Sequence, residues 1–235
     1  NGDGYTDLFI GASMNQSGVL FIQKKDGFES QRLGDEHRDY EDTDALFFDA
    51  DGDGDLDLYL VSGSQEAGMK LQNYQDRLYL NDGQGAFQDY PNALPSMPVS
   101  GSCVRAHDFD ADGDLDLFVG GRLIPGTYPK AASSYLLRND SHSGEPVFSD
   151  VTAQICPELQ DVGLTADAIW MDFSNDKVAD LLIVGEWMPV MFFQNMEGKL
   201  ENVTSTTGIN DRLGWWRSIA SGDFDSDGDI DFVLG

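Results

Sequence analysis

Residues 108–121 read DFDADGDLDLFVGG, a motif that recurs along the chain. It has the form D-x-D-x-D-G-x-x-D, followed by alternating apolar residues. Related copies occupy residues 1–7 (NGDGYTD), 49–57 (DADGDGDLD), 172–180 (DFSNDKVAD) and 223–231 (DFDSDGDID). Their last aspartates, at positions 7, 57, 116, 180 and 231, are 50, 59, 64 and 51 residues apart. A repeat of this length indicates a β-propeller or a solenoid, and the unequal spacing favours loop insertions over a rigid solenoid.

The acidic positions of each copy have the spacing of a calcium loop. Positions 1, 3 and 5 bring three carboxylates together, the glycine at position 6 permits a sharp bend, position 7 offers a carbonyl oxygen, and position 9 returns another carboxylate. Ca²⁺ takes six to eight oxygens at about 2.3–2.6 Å, and without a cation these carboxylates repel one another. The predicted ligands of the three complete loops are Asp49, Asp51, Asp53, Asp55 and Asp57; Asp108, Asp110, Asp112, Asp114 and Asp116; and Asp223, Asp225, Asp227, Asp229 and Asp231.

Two copies are incomplete. The first retains Asn1, Asp3 and Asp7, because the chain opens inside the motif, so we expect an upstream segment in the parent protein. The fourth retains the oxygen-bearing side chains Asp172, Ser174, Asp176 and Asp180, but Lys177 replaces its glycine and adds a positive charge. We therefore expect three calcium sites and at most five, and whether the fourth loop binds metal stays open. The alternative is that all these segments are ordinary Asp/Gly-rich surface turns.

The sequence around the loops predicts strands. An EF-hand would need a glutamate at position 12 and flanking helices, whereas that position is Leu60, Val119, Ile183 or Leu234. Apolar residues alternate after the loops, which is the pattern of a β-strand, and strands are also predicted before them at 43–48, 102–107, 166–171 and 216–221. Two further strands follow in the second, third and fourth repeats, and only residues 63–74 suggest a short helical turn. Four strands per repeat predict an all-β fold of propeller blades.

Composition limits the function. The chain has 42 Asp+Glu against 14 Lys+Arg, a formal net charge of −28 in 235 residues. A surface this acidic argues against a nucleic-acid partner. No apolar run is long enough for a transmembrane helix. Cys103 and Cys156 form either a single disulfide or two buried thiols.

The segments NGDGYTDLFIGA, DFDADGDLDLFVGG and DFDSDGDIDFVLG resemble FG-GAP/VCBS repeats. These are the calcium-loop blades of the integrin α-subunit propeller and of many secreted bacterial proteins. The resemblance covers residues 1–235 as a single propeller region, with four blades and the start of a fifth. It implies an excerpt of a propeller of about seven blades, and an extracellular or cell-surface location, associated with the bacterial outer membrane.

We accordingly expect a non-catalytic, calcium-stabilised propeller that serves adhesion or binds a protein or glycan at the cell surface, alone or within a larger membrane-associated complex. The alternatives are a carbohydrate-active enzyme similar to polysaccharide lyases and a purely structural module. No nucleophile elbow, zinc spacing or nucleotide loop is present, so no catalytic residue is predicted. Trp187, Trp215 and Trp216, with Arg217, form either a ligand-binding surface or a cap on the core between blades.

Overall fold

The computed structural model describes residues 1–64 and 70–235, and antiparallel strands dominate this part of the chain. The described strands form five sheets, numbered here in chain order. Sheet 1 contains β1 (Leu8–Ile10), β2 (Gly18–Lys24) and β3 (Gly27–Leu33); sheet 2 contains β4 (Asp42–Phe48), β5 (Asp57–Ser62), β6 (Arg77–Asn81) and β7 (Phe87–Asp89). Sheet 3 contains β8 (Ser100–His107), β9 (Asp116–Leu123), β10 (Tyr135–Asn139) and β11 (Phe148–Asp150). Sheet 4 contains β12 (Leu164–Met171), β13 (Asp180–Met188), β14 (Met191–Met196), β15 (Lys199–Asn202) and β16 (Gly214–Trp215), and sheet 5 contains β17 (Ile219–Gly222) and β18 (Asp231–Leu234).

The predicted blade pattern is confirmed at the level of single sheets. In sheets 2, 3 and 4 four consecutive strands pair in chain order, and the acidic loop joins the first strand to the second. The second strand is buried on both faces: all six residues of β5 are buried. A strand covered on both sides carries a near-continuous apolar run, which is why Leu58, Tyr59, Leu60 and Val61 follow one another without a polar residue.

One predicted strand starts later than expected. Of residues 216–221, only 219–221 lie in a strand, β17 (Ile219–Gly222), because the chain changes partner just before it. β16 pairs with the end of β13 in sheet 4, whereas β17 pairs with β18 in sheet 5. Between them the backbone N–H groups of Arg217 and Ser218 both donate to the carbonyl of Gly235. The partner on each side, rather than local strand preference, sets the break.

Helical structure is short. One α-helix, α1 (Thr152–Ile155), was not predicted, and its four residues form a single turn before the 3₁₀ turn Pro157–Asp161. Three other 3₁₀ turns are described, at Asp35–His37, Leu71–Tyr74 and Thr204–Thr206. The turn at Leu71–Tyr74 confirms part of the helical turn predicted within 63–74, and residues 65–69 of that segment lie outside the described residues.

The chain divides into two compact units. The first contains Asn1–Gly101 and Asn139–Ser149. Within it sheets 1 and 2 share one apolar core, in which Leu33 packs with Leu58, Leu60 and Tyr79. Face-to-face packing of two strand layers gives each sheet its buried side.

The second unit contains Ser102–Arg138 and Asp150–Gly235. Its larger core joins residues of sheet 3, such as Phe118, to residues of sheet 4, such as Leu181 and Phe193. A second core joins the other face of sheet 4 to Ile219 of sheet 5. Each sheet of a propeller is expected to pack on the next in this way, and closure into a ring of about seven blades stays a prediction.

Candidate metal loops

All five acidic loops have the same backbone conformation. Positions 4 and 6 of each loop are left-handed, with φ between 60° and 104°. The residues at these positions are Gly2 and Gly4, Gly52 and Gly54, Ala111 and Gly113, Asn175 and Lys177, and Ser226 and Gly228. This region is costly for residues with a Cβ. The incomplete first and fourth loops therefore bend as the complete ones do, and Lys177 takes the glycine conformation with φ 73°.

The carboxylate at position 1 closes each complete loop, because it accepts the backbone N–H of position 6. Asp49 accepts from Gly54 at 3.0 Å, and Asp108 accepts from Gly113 at 3.0 Å. Asp223 does the same with Gly228 at 3.2 Å. In the fourth loop Asp172 accepts from Lys177 at 2.8 Å. Short polar side chains that bond a nearby N–H favour such tight turns. We call this hydrogen bond between positions 1 and 6 the loop frame, and it forms in the fourth loop although the glycine is absent.

The aspartate at position 9 attaches each loop to the sheet. Asp57, Asp116 and Asp180 are at most 1% exposed. Asp57 accepts the N–H of Ala50, at position 2, and that of Asn81 at the end of β6, both at 2.9 Å. Asp180 repeats this arrangement with Phe173, Ser174 and Asn195. The side chain that sequence reasoning assigned only to calcium is therefore also a structural acceptor of buried backbone donors.

Acidic side chains converge in the three complete loops. One ligand oxygen from each of three residues lies within 4.8 Å of the others. The three groups are Asp49, Asp51 and Asp53; Asp108, Asp110 and Asp116; and Asp223, Asp225 and Asp231. The first loop has only two acidic residues, Asp3 and Asp7, and among the described residues the acidic side chains of the fourth loop form no such group of three. The remaining predicted ligands lie in the same loops, and their part in binding an ion stays a prediction.

Crowding and burial disfavour the charged state of these carboxylates. Burial, followed by the charges of Asp53 and Asp49, raises the pKa of Asp51. Burial and the charge of Asp112 raise the pKa of Asp110, and burial raises the pKa of Asp57 to about 6. A bound cation would reverse these effects, because a nearby opposite charge favours the ionised form.

Position 3 offers an unused oxygen in the third loop. Oδ1 of Asp110 is buried and has no hydrogen-bond partner. Buried polar atoms are nearly always paired, so an unpaired one calls for an explanation such as an ion. Oxygen-only donors of this kind suit a hard cation, above all Ca²⁺. The residues of the complete loops therefore fit calcium.

A set of buried asparagines supports the loops, and the sequence reasoning missed it. Asn81, Asn139 and Asn195 are each the last or next-to-last residue of the third strand of a sheet. Nδ2 of Asn139 donates to the carbonyl of Ala50 at 3.2 Å, and Nδ2 of Asn195 donates to that of Phe109 at 2.9 Å. The signal was available in the recurring LYLN, LLRN and FFQN segments.

The described residues hold one further acidic cluster, outside the loops, formed by Glu36, His37 and Asp89. Nε2 of His37 lies 2.9 Å from Oδ2 of Asp89, so these two side chains already pair.

The two cysteines are free thiols, and both are buried. Of the two alternatives left by the sequence, the structure selects buried thiols. Burial raises the pKa of Cys156 to about 11, so this thiol stays protonated and unreactive at neutral pH.

Meander sheets whose first two strands are joined by acidic loops define a repetitive β-protein of the blade type. A family model for the FG-GAP-like repeat matches residues 1–60, 49–119 and 172–234, which is more than half of the chain. The chain therefore belongs to the FG-GAP-like repeat family. None of the curated proteins compared with it matches. No helix in the described part of the chain is long and apolar enough to cross a membrane.

Proposed function

We propose that the chain is a non-catalytic, calcium-stabilised β-propeller module that acts outside the cell in adhesion or in binding a protein or a carbohydrate. The observation that carries the proposal is the common loop frame, which gathers three acidic oxygens within 4.8 Å in each complete loop. Gathering charge in this way is unfavourable unless a cation accompanies it. Calcium is the natural choice outside cells, where its concentration suits sites with Kd of roughly 10⁻⁴–10⁻³ M.

The expected stabilisation follows from ligand linkage. At a tenfold excess over Kd, one site contributes about 1.4 kcal/mol, and three sites contribute about 4 kcal/mol. In a chain of this size 1 kcal/mol corresponds to about 2–4 °C in melting temperature. Calcium should therefore raise the melting temperature by about 10 °C over the EGTA-treated protein.

The experiment is thermal unfolding followed by circular dichroism in EGTA, in CaCl₂ and in MgCl₂ at matched ionic strength. Calcium should raise the melting temperature well above the value in magnesium, since Mg²⁺ prefers a tighter octahedral shell. Asp110→Asn should reduce the calcium shift, whereas Glu29→Gln, an exposed acidic position on β3, should leave it unchanged. Equal melting temperatures in calcium and EGTA would refute the proposal.

A further inference from the structure

Three aromatic side chains gather on the surface of the second unit, at the far end of sheet 4 from its metal loop. Trp187, Trp215 and Tyr128 are 61%, 49% and 48% exposed, and we name this set the aromatic platform. The rings of the two tryptophans are 4.8 Å apart and meet edge to face. Nε1 of Trp187 donates to the hydroxyl of Tyr128 at 3.0 Å. The platform lies seven residues along β13 from Asp180, a distance of about 20 Å.

The side chain of Trp187 points to solvent from a strained backbone conformation. It is the only exposed residue of β13, and its φ is +60°. The pairing of β13 with β16 is irregular between Glu186 and Met188, which places Trp187 at a bulge. Bulges re-aim side chains next to functional sites, and a large side chain in the left-handed region marks strain that is typical of ligand sites.

The platform is not a cap on the core. Trp216 packs against the core between sheets 4 and 5, whereas Trp187 and Trp215 leave 61% and 49% of their surface in solvent. Exposed, rigid aromatic rings with a satisfied polar edge supply contact area at low entropic cost.

A cluster of two arginines and one glutamate lies beside the platform, and its net charge determines which ligands fit. Glu186 is 2% exposed and accepts from Nε of Arg122 at 3.1 Å, from Arg217 at 3.2 Å and from the hydroxyl of Tyr128 at 3.3 Å. Two guanidinium groups against one carboxylate leave a net charge of +1. The side chain of Arg217 is 54% exposed and bonds Glu186 through one terminal nitrogen, so its outer N–H groups face solvent.

This local positive charge lies beside aromatic rings in a chain whose formal net charge is −28. It disfavours a cationic ligand and favours a carboxylate, which a guanidinium binds with planar, charge-assisted hydrogen bonds. The rings favour a flat, weakly polar face. A uronic acid residue presents both, because the carbon-bound hydrogens of its pyranose ring lie beside a carboxylate.

We propose that Trp187, Trp215 and Tyr128, with Arg217, form a binding subsite for an acidic polysaccharide rich in uronic acid. The inference rests on the proposed binding function and names its ligand class. Trp187 and Trp215 stack on the sugar ring, Arg217 pairs with the uronate carboxylate, and Arg122 and Glu186 hold the guanidinium and Tyr128 in place.

Isothermal titration calorimetry tests the subsite with the 235-residue chain at fixed free calcium. Hexagalacturonate is the acidic probe and cellohexaose is the neutral one. Fixing free calcium matters because oligouronates themselves bind calcium. Trp187→Ala should weaken hexagalacturonate binding by roughly tenfold or more, as expected for a central aromatic contact. Phe28→Ala, at an aromatic residue 56% exposed on β3, should not change it.

Arg217→Gln separates the two recognition elements. It should remove the preference for hexagalacturonate over cellohexaose while Trp187 keeps its effect on any residual binding. Tighter binding of cellohexaose, or binding that Trp187→Ala does not alter, would overturn the assignment, as would binding of a proline-rich peptide but of neither sugar. If calcium raises the melting temperature and neither sugar binds, the subsite is refuted while the calcium-stabilised module stands. If calcium has no effect on the melting temperature, the proposed function fails whatever the titrations show.

Discussion

Replacing Asp180 by alanine should destabilise the protein even when no calcium is present. Asp180 is fully buried. Its carboxylate accepts the N–H groups of Phe173 at 3.2 Å, Ser174 at 3.1 Å and Asn195 at 2.8 Å. A hydrogen bond to a charged acceptor contributes about 1.5–3 kcal/mol, and a buried donor left unpaired costs about 1–3 kcal/mol. Because two of these donors are only partly buried, we expect a total loss of about 3–5 kcal/mol, or about 10 °C.

Asp176→Ala is the matched control in the same loop. The side chain of Asp176 is exposed and accepts one N–H, that of Val178 two residues away, so its loss should cost less than about 1 kcal/mol in EGTA. The loss of stability in Asp180→Asn should lie between those of the two alanine variants, because the amide retains one acceptor oxygen but turns an NH₂ group toward the remaining donors. Thermal and urea unfolding of the three variants in EGTA gives these values. Equal losses for Asp180→Ala and Asp176→Ala would refute the structural role of position 9.

The same variants decide whether the fourth loop binds calcium. If it does, Asp176→Ala reduces the calcium-induced rise in melting temperature. If it does not, the rise is the same as in the unmodified protein. The comparison isolates metal binding because the structural cost has already been measured in EGTA.

Three further results are expected. Lys177→Gly should stabilise the protein by about 0.5–1 kcal/mol in EGTA, because glycine adopts the φ of 73° without strain; a loss of stability in urea unfolding would contradict this. Burial raises the pKa of Asp76 from its ordinary value of 3.8 to about 7 in the folded state. Its protonation therefore favours folding, and this contribution is full below pH about 4 and is lost as the pH rises through about 7. As the pH rises from 5 to 8, the free energy of unfolding of Asp76→Asn should therefore increase by about 2–3 kcal/mol relative to that of the unmodified protein, measured by urea unfolding at constant calcium. A difference that does not change with pH would show that Asp76 does not titrate in this range. Ellman's reagent should react with Cys103 and Cys156 only after denaturation, because both thiols are buried; rapid reaction of the native protein would place one of them at the surface.

The local chemistry of the chain was readable from its sequence. An acidic loop followed by alternating apolar residues, as in residues 49–60, predicts a tight turn entering a β-strand, and the structure has β5 there. These features depend on neighbours a few residues apart. For the same reason a glycine at position 6 predicts a sharp bend, whereas the sequence of the fourth loop, with Lys177 there, makes no such prediction.

Features that depend on distant partners required the tertiary structure. From the sequence, Asp180 at position 9 looked like a metal ligand alone, because the backbone N–H of Asn195, from which it accepts a hydrogen bond, lies 15 residues away. The break between β16 and β17 follows from pairing with two different sheets. Glu186 and Arg122, 64 residues apart, meet only because sheets 3 and 4 lie side by side. Sequence determines the turns and strands because their energies are local, whereas burial and long-range pairing exist only after the sheets have packed, and they decide which polar side chains hold the fold and which remain exposed to a ligand.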